Sequence, residues 1–160
     1  MKIHLYTLIL GLVIFGCNTP QTKTSNEDTA KLESFITQYY SVMSERDWNT
    51  YRQFFADKAI LTTIWHGPND PKPTLFSNSI TEFLAQTKNG PDSQPIFEEK
   101  PLTITTDIKN DLASVWVKYT AKFGTESNLM QWQGYDVFSL IKFENKWHIT
   151  SITYLSIESE

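Results

Sequence analysis

From Ala113 to Phe123 every second residue is apolar: Ala113, Val115, Val117, Tyr119, Ala121 and Phe123. A repeat of two sustained this far predicts a long strand with one face turned into the protein. Such a strand needs neighbours to pair with and a layer to cover its apolar face, so it commits the chain to a sheet with something packed on it.

The cover is written upstream in a different period. Leu32, Phe35, Ile36, Tyr39, Tyr40 and Met43 form one continuous helical stripe, with Ser25 and Asp28 spaced as a capping box before it. Asp47 is placed to cap a second, short helix carrying Trp48, Tyr51, Phe54 and Phe55. Residues 59–65 are β-branched and apolar and predict a strand; 67–73, with Gly and three Pro, predict a loop. Ser79 and Glu82 open a further helix that buries Ile80, Phe83 and Leu84 and stops at Asn89-Gly90-Pro91. The period then changes to two. Leu102, Ile104 and Ile108 alternate with polar residues, and strands over 113–123, about 130–143 and 147–157 follow, separated by turns at 109–111, 124–128 and 144–146. Helices followed by an antiparallel meander predict an α+β domain with the helices on one face of the sheet.

The single cysteine, Cys17, ends a short apolar run that follows Met1-Lys2. The run is too short to span a bilayer. A charged start, a short apolar run and a small residue before the cysteine resemble a bacterial lipobox. A buried thiol is the alternative use of a lone cysteine, but this position favours an anchor. The expected organisation is a signal over 1–16, a polar tether over 17–27 beginning at a lipidated Cys17, and a domain over 28–160. That places the protein in a bacterial cell envelope as a membrane-anchored lipoprotein, facing the periplasm or the surface. The 14 basic and 18 acidic residues give a net charge of −4, which argues against nucleic acid as a partner. With no cysteine and only His66 and His148 in the domain, neither a metal site nor a cofactor is expected. There is no P-loop, G-x-S-x-G or G-x-G-x-x-G.

The long first helix, the segment Asp47-Trp48-Asn49-Thr50-Tyr51-Arg52-Gln53-Phe54-Phe55 leading to Ala59-Ile60-Leu61, and the pair Gly134–Leu140 and Lys146-Trp147-His148-Ile149 resemble the nuclear transport factor 2-like (SnoaL-like) superfamily. The resemblance covers about residues 30 to 157 and rests more on the order of elements than on one motif. It implies a cone-shaped half-barrel: N-terminal helices closing one side of a strongly curved, mainly antiparallel sheet around a pocket. It does not imply one activity, since isomerases, dehydratases, cyclases, binding domains and interaction modules resemble this fold.

Strand parity then sorts the candidates. Asp136 shares a face with Trp132, Phe138 and Leu140, so it should point inward, where burial would raise its pKa toward the range of a general base. Tyr119, on the apolar face of the preceding strand, could donate a hydroxyl beside it. The plainer reading is that Asp136 accepts a hydrogen bond and organises the pocket. His66 would sit at the pocket mouth as a proton shuttle or as an ordinary loop residue. Trp65, Trp132 and Tyr40 are candidates to line a cavity for a small apolar or aromatic ligand. Parity sets Trp147 and Ile149 on one side of the last strand, and His148, Ile152 and Tyr154 on the other. An outer-face patch of Trp116, Val137, Ile141, Phe143 and Tyr154 would pair two copies as a homodimer. The leading expectation is a lipid-anchored binding domain of unknown ligand. A cofactor-independent acid–base enzyme and a structural or interaction module are the alternatives.

Overall fold

The computed structural model describes residues 26–65 and 72–157. Cys17, the signal segment, His66 and most of the tether lie outside the described residues. Helix α1, Asn26–Ser44, is followed by α2, Trp48–Arg52, then strands β1, Phe55–Trp65, and β2, Thr74–Ser79. Helix α3, Ile80–Gln86, continues into two short 3-10 turns, Thr87–Asn89 and Pro91–Ser93. Four long strands complete the chain: β3, Ile96–Lys109; β4, Leu112–Thr125; β5, Asn128–Phe143; and β6, Lys146–Ile157. The six strands form one sheet in the order β2-β1-β6-β5-β4-β3, antiparallel throughout except between β1 and β6. It is the expected α+β architecture, helices against a curved, open, mostly antiparallel sheet.

Local chemistry explains the boundaries. The Asp47 side chain accepts from the Thr50 amide at the start of α2. Ser79 and Glu82 form a reciprocal capping box at α3. The β5–β6 hairpin turns on Glu144 and Asn145, both at positive φ. Curvature comes from interruptions of the ladder: between Phe55 and Ile60 in β1, at Leu102 in β3, and at Thr150 in β6. An extra residue on one strand bends it and tightens its twist.

These interruptions also overturn several expectations. Thr150 has no partner across the ladder, Ser151 pairing with Ser139 and Ile149 with Leu140. The inserted residue reverses parity, so Ile152 and Tyr154 return to the inner face with Ile149, and Tyr154 is no part of an outer patch. Leu102 bulges outward and is exposed, whereas Ile108 is buried. Helix α2 ends at Arg52, so Phe54 lies in the turn and Phe55 starts β1. Strand β3 begins at Ile96, well before Leu102, and β2 is a short edge strand whose sequence carries no alternation. Helix α1 begins at Asn26, inside the segment read as tether.

The core lies between α1 and the inner face of the sheet. Leu32, Ile36, Val115, Phe138 and Leu140 are fully buried in it. Tyr39 meets Phe138 edge-on with ring centroids 5.2 Å apart. Trp116, Ile141 and Phe143 are exposed on the opposite face, joined by Tyr135 and Leu155.

Candidate functional site

Toward one end the inner face is not filled. A cavity of about 870 Å³ opens between the sheet, α3 and the turn at Gly90-Pro91, within the range typical of small-molecule sites. Its walls are mostly aromatic: Tyr51 and Phe83 from the helices, and Phe97, Tyr119, Trp132 and Tyr154 from the sheet. Trp65 and Ile64, exposed at the end of β1, border its mouth. The mouth turn is held by long polar side chains. Arg46 donates to the carbonyl of Gln94, and the Trp48 indole donates to Asp92 at 3.0 Å.

Asp136 reaches this cavity from the middle of β5, between Val117 on β4 and Tyr154 on β6. It is one of only two buried polar side chains among the described residues, 5% exposed. Its hydroxyl donor is Tyr40 of α1, which donates to Oδ2. The expected donor was Tyr119. That ring instead lies over Gly134, directly across the ladder, where an added Cβ would come within 2.3 Å of it. Gly134 thus makes the space that lets Tyr119 lie flat against the cavity wall. Tyr40, expected to line the cavity, stands behind Asp136, 1% exposed. On the cavity wall a buried pair of hydroxyls, those of Tyr39 and Tyr51, is bonded at 2.8 Å.

Glu99 is a second acid in the same space, and strand reasoning did not single it out. It lies on edge strand β3 opposite Ala121, with Phe97 and Pro101 sharing its inward face. Ser44, at the end of α1, pins its backbone twice, donating to the Glu99 carbonyl at 3.0 Å and accepting from its amide at 2.9 Å. Those are the edge groups β4 does not reach, so α1 closes the sheet edge there. The Glu99 carboxyl lies deep in the protein yet keeps accessible surface, because it faces the cavity and a groove beside α1. No described side chain bonds it. The signal that could have found it is the run Phe97-Glu98-Glu99-Lys100-Pro101, in which residues 97, 99 and 101 share one parity.

Burial pushes the Asp136 carboxyl up to about 7, and the Tyr40 hydrogen bond pulls it only partway back. Burial, reinforced by the charge of Asp136, pushes Glu99 up to about 8. Tyr154 is pushed up to about 12 by burial and by both acids, and Tyr40 and Tyr119 well above the ordinary phenol range for the same reasons. The result is two carboxyls poised near neutrality in an aromatic, low-dielectric space, with neutral hydroxyls around them. Such a pair can hold or pass a proton and can accept hydrogen bonds from an occupant. No Lys, Arg or His is among the described residues of the cavity wall. His148 pairs with Ile141 on the outer face, away from it.

Comparison with solved structures finds the same architecture. An NTF2-like protein of unknown function from Shewanella baltica OS155 is 20% identical, with 86% of this chain and 99% of that chain aligned at a TM-score of 0.60. A protein described as a "Putative Scytalone Dehydratase" from Novosphingobium aromaticivorans aligns over 82% of this chain and 85% of that one, at 12% identity and a TM-score of 0.67. An NTF2-like protein with a cystatin-like fold from the same species is 8% identical, with 84% of each chain aligned and a TM-score of 0.63. At these identities the likeness is one of fold. A comparison with curated proteins finds no match. The family model described as "Putative lumazine-binding" matches residues 27–155, and the chain belongs to that family, built on the nuclear transport factor 2-like fold.

Proposed function

We propose that this domain binds a small, largely apolar aromatic molecule in the cavity around Asp136 and Glu99. The observation that carries the reading is the open, ring-lined space of about 870 Å³ beside a core of fully buried side chains. Aromatic walls offer faces for stacking, and two carboxyls supply the few convergent polar groups that fix an orientation. The family description, "Putative lumazine-binding", fits a planar heterocycle of this kind. The open cavity also weighs against a purely structural module, which would have a filled interior. The test is a titration of the neutral dye phenylnaphthylamine into the chain carrying Cys17→Ser. Saturable fluorescence enhancement is expected, weakened by Trp132→Ala. No saturable binding would overturn the reading.

A second reading, an acid–base enzyme of isomerase, dehydratase or cyclase type, is favoured by one observation. Asp136 is held near neutrality and bonded to a hydroxyl, as a general base requires. The dehydratase description of one solved neighbour is in keeping with it. Asp136→Asn separates the two. It would abolish turnover of a substrate with binding intact in an enzyme, and shift affinity modestly in a binding domain.

We also propose that lipid on Cys17 anchors the domain to the envelope membrane, on the strength of Gly16-Cys17 at the end of the apolar run. Wild type should partition into the detergent phase and Cys17→Ser into the aqueous phase; equal partitioning would overturn the anchor. Pairing of two copies through Trp116, Ile141 and Phe143 is the corresponding proposal for the outer face. Light scattering that finds only monomer at tens of micromolar, where ordinary interfaces are filled, would exclude it.

A further inference from the structure

We infer that the molecule this cavity takes is a cation, a ring- or alkyl-bearing compound with a positively charged nitrogen, and that Glu99 is its counter-ion. The inference rests on the binding reading above and deepens it. Three features of the wall point the same way.

The first is an imbalance of hydrogen-bonding groups. Among the described residues the wall holds two carboxyls, the hydroxyls of Thr63 and Ser156, and several phenols, with no Lys, Arg, His, Asn or Gln. A site for an anion or a carbonyl-rich ligand needs fixed N–H donors or a positive charge. This wall carries no positive charge, and its side-chain N–H groups among the described residues are the indoles of Trp65 and Trp132, so acceptors outnumber N–H donors.

The second is that Glu99 lacks a partner where partners are close. Lys100 and Lys122 both reach its neighbour Glu98, at 2.7 Å and 3.5 Å, on the outer side of β3. Glu99, on the inner side, has its backbone fixed by Ser44 and its carboxyl bonded by no described group. A carboxylate held in place, desolvated and unpaired is costly. An occupant that carries the missing charge removes that cost, whereas a neutral occupant leaves it.

The third is the set of rings around that carboxyl. Five titratable groups face Glu99 from the interior, Tyr40 from α1, Tyr51 from α2, Tyr119 from β4, Asp136 from β5 and Tyr154 from β6, and on its groove side Glu45 of α1 with Glu98 and Lys100 of β3 line the same space. Four of the five are phenols whose protons burial holds in place, so they present neutral π-faces and no competing cation. Tyr51, Tyr119 and Tyr154 line the cavity with Trp132 and Phe97. Aromatic faces around a carboxylate are the usual enclosure for a desolvated ammonium group. Empty, Glu99 and Asp136 lower their cost by keeping protons near neutral pH. A bound cation would favour the ionised Glu99, so affinity for it should rise with pH.

The experiment compares two probes of one shape, benzyltrimethylammonium and its uncharged carbon analogue neopentylbenzene, as competitors of phenylnaphthylamine on the Cys17→Ser chain. The quaternary nitrogen has no proton to lose, so any pH dependence belongs to the protein. The ammonium probe is expected to compete about tenfold or more better than its neutral twin at pH 8.5, with the preference shrinking toward pH 6. In Glu99→Gln the preference should disappear, with the melting transition confirming that the variant folds. If the dye binds and the two probes compete equally, or the neutral one better, the cation inference is overturned and the binding reading stands. If the dye does not bind, both fall. Selectivity is read on the native residue, so the inference can fail even if Glu99→Gln does not fold.

Discussion

One face of β4 carries Ala113, Val115 and Val117 into a filled core and, a few residues further on, presents Tyr119 and Phe123 to an open cavity. The two stretches have the same alternation and the same neighbours in the ladder, β3 and β5. What differs is the opposite layer. Leu32, Ile36 and Tyr39 of α1 fill the space over the first stretch. Over the second, the last turn of α1 with Met43, Tyr51 of α2, the short α3 and the Gly90-Pro91 turn stand around the cavity without filling it. Alternation therefore encodes which side of a sheet is sheltered from water, and the length and placement of the helices decide whether that shelter is solid or hollow.

Deleting a large ring from each half gives the largest expected effect. Phe138 is fully buried among Tyr39, Tyr40 and the α1 stripe. Phe138→Ala should cost about 3–5 kcal/mol, the range for a buried phenylalanine that leaves a void. Trp132 has one side on the cavity already, so Trp132→Ala forfeits fewer contacts and should cost less than half as much, while weakening dye binding. Urea unfolding of both variants checks the contrast. Equal losses would mean that the cavity end is as tightly packed as the core.

A smaller effect comes from the two acids, which set the halves apart in their response to pH. Burial raises both above their unfolded values, Asp136 from 3.8 to about 7 and Glu99 from 4.5 to about 8. The folded state then binds more protons than the unfolded state between those limits, so stability is fullest below about pH 4 and is lost as pH rises through about 7 to 8. A tenfold difference in proton affinity between the folded and unfolded chain corresponds to about 1.4 kcal/mol; taken in full, the gaps above pH 5 would give about 7 kcal/mol, and because both carboxyls face an open cavity, solvent screening reduces the expected loss between pH 5 and 9 to about 2–4 kcal/mol. Asp136→Asn should flatten much of that slope, both by removing one acid and by relieving Glu99 of its neighbour's charge. A wild-type melting temperature that climbs over this interval would contradict the assignment.

The same division marks what could be read from the chain. The helical stripe, the α2 and α3 caps and the inward parity of Asp136 are local properties, set by residues a few positions apart, and periodicity carries them faithfully. Which way Tyr154 faces depends on one inserted residue, Thr150, whose unpaired position appears only when β6 is laid beside β5. Glu99 was hidden for a related reason. Within Glu98-Glu99-Lys100 it reads as one charge of a solvated run, and only the register with β4, which sets it opposite Ala121, turns it inward. The hydroxyl partner of Asp136 is a contact between residues 96 positions apart. Parity narrows such a donor to an inward-facing tyrosine, but choosing Tyr40 over Tyr119 takes the space above Gly134 into account.

The smallest effect tests that last contact. Tyr40→Phe keeps the ring in its place against Tyr119 and Phe138, with centroids 6.5 Å and 6.3 Å away, and removes only the hydroxyl. The hydrogen bond favours the ionised form of Asp136 and opposes the effect of burial. Without it the carboxyl should titrate still higher, because desolvation then acts unopposed. The stability cost is expected to depend on pH in a definite sense. At pH 5, where the buried acid is protonated, the variant loses about 1 kcal/mol, the usual net worth of a neutral hydrogen bond. Above pH 8 it loses more, since an ionised Asp136 would be left without its one described donor. Carbon-detected NMR of the Asp136 carboxyl in both proteins reads the titration directly, and unfolding at the two pH values reads the cost. An unchanged or lower titration midpoint in Tyr40→Phe would show that another group supports the carboxylate, and that the aromatic end of the cone holds its charge by means other than this helix-to-sheet hydroxyl.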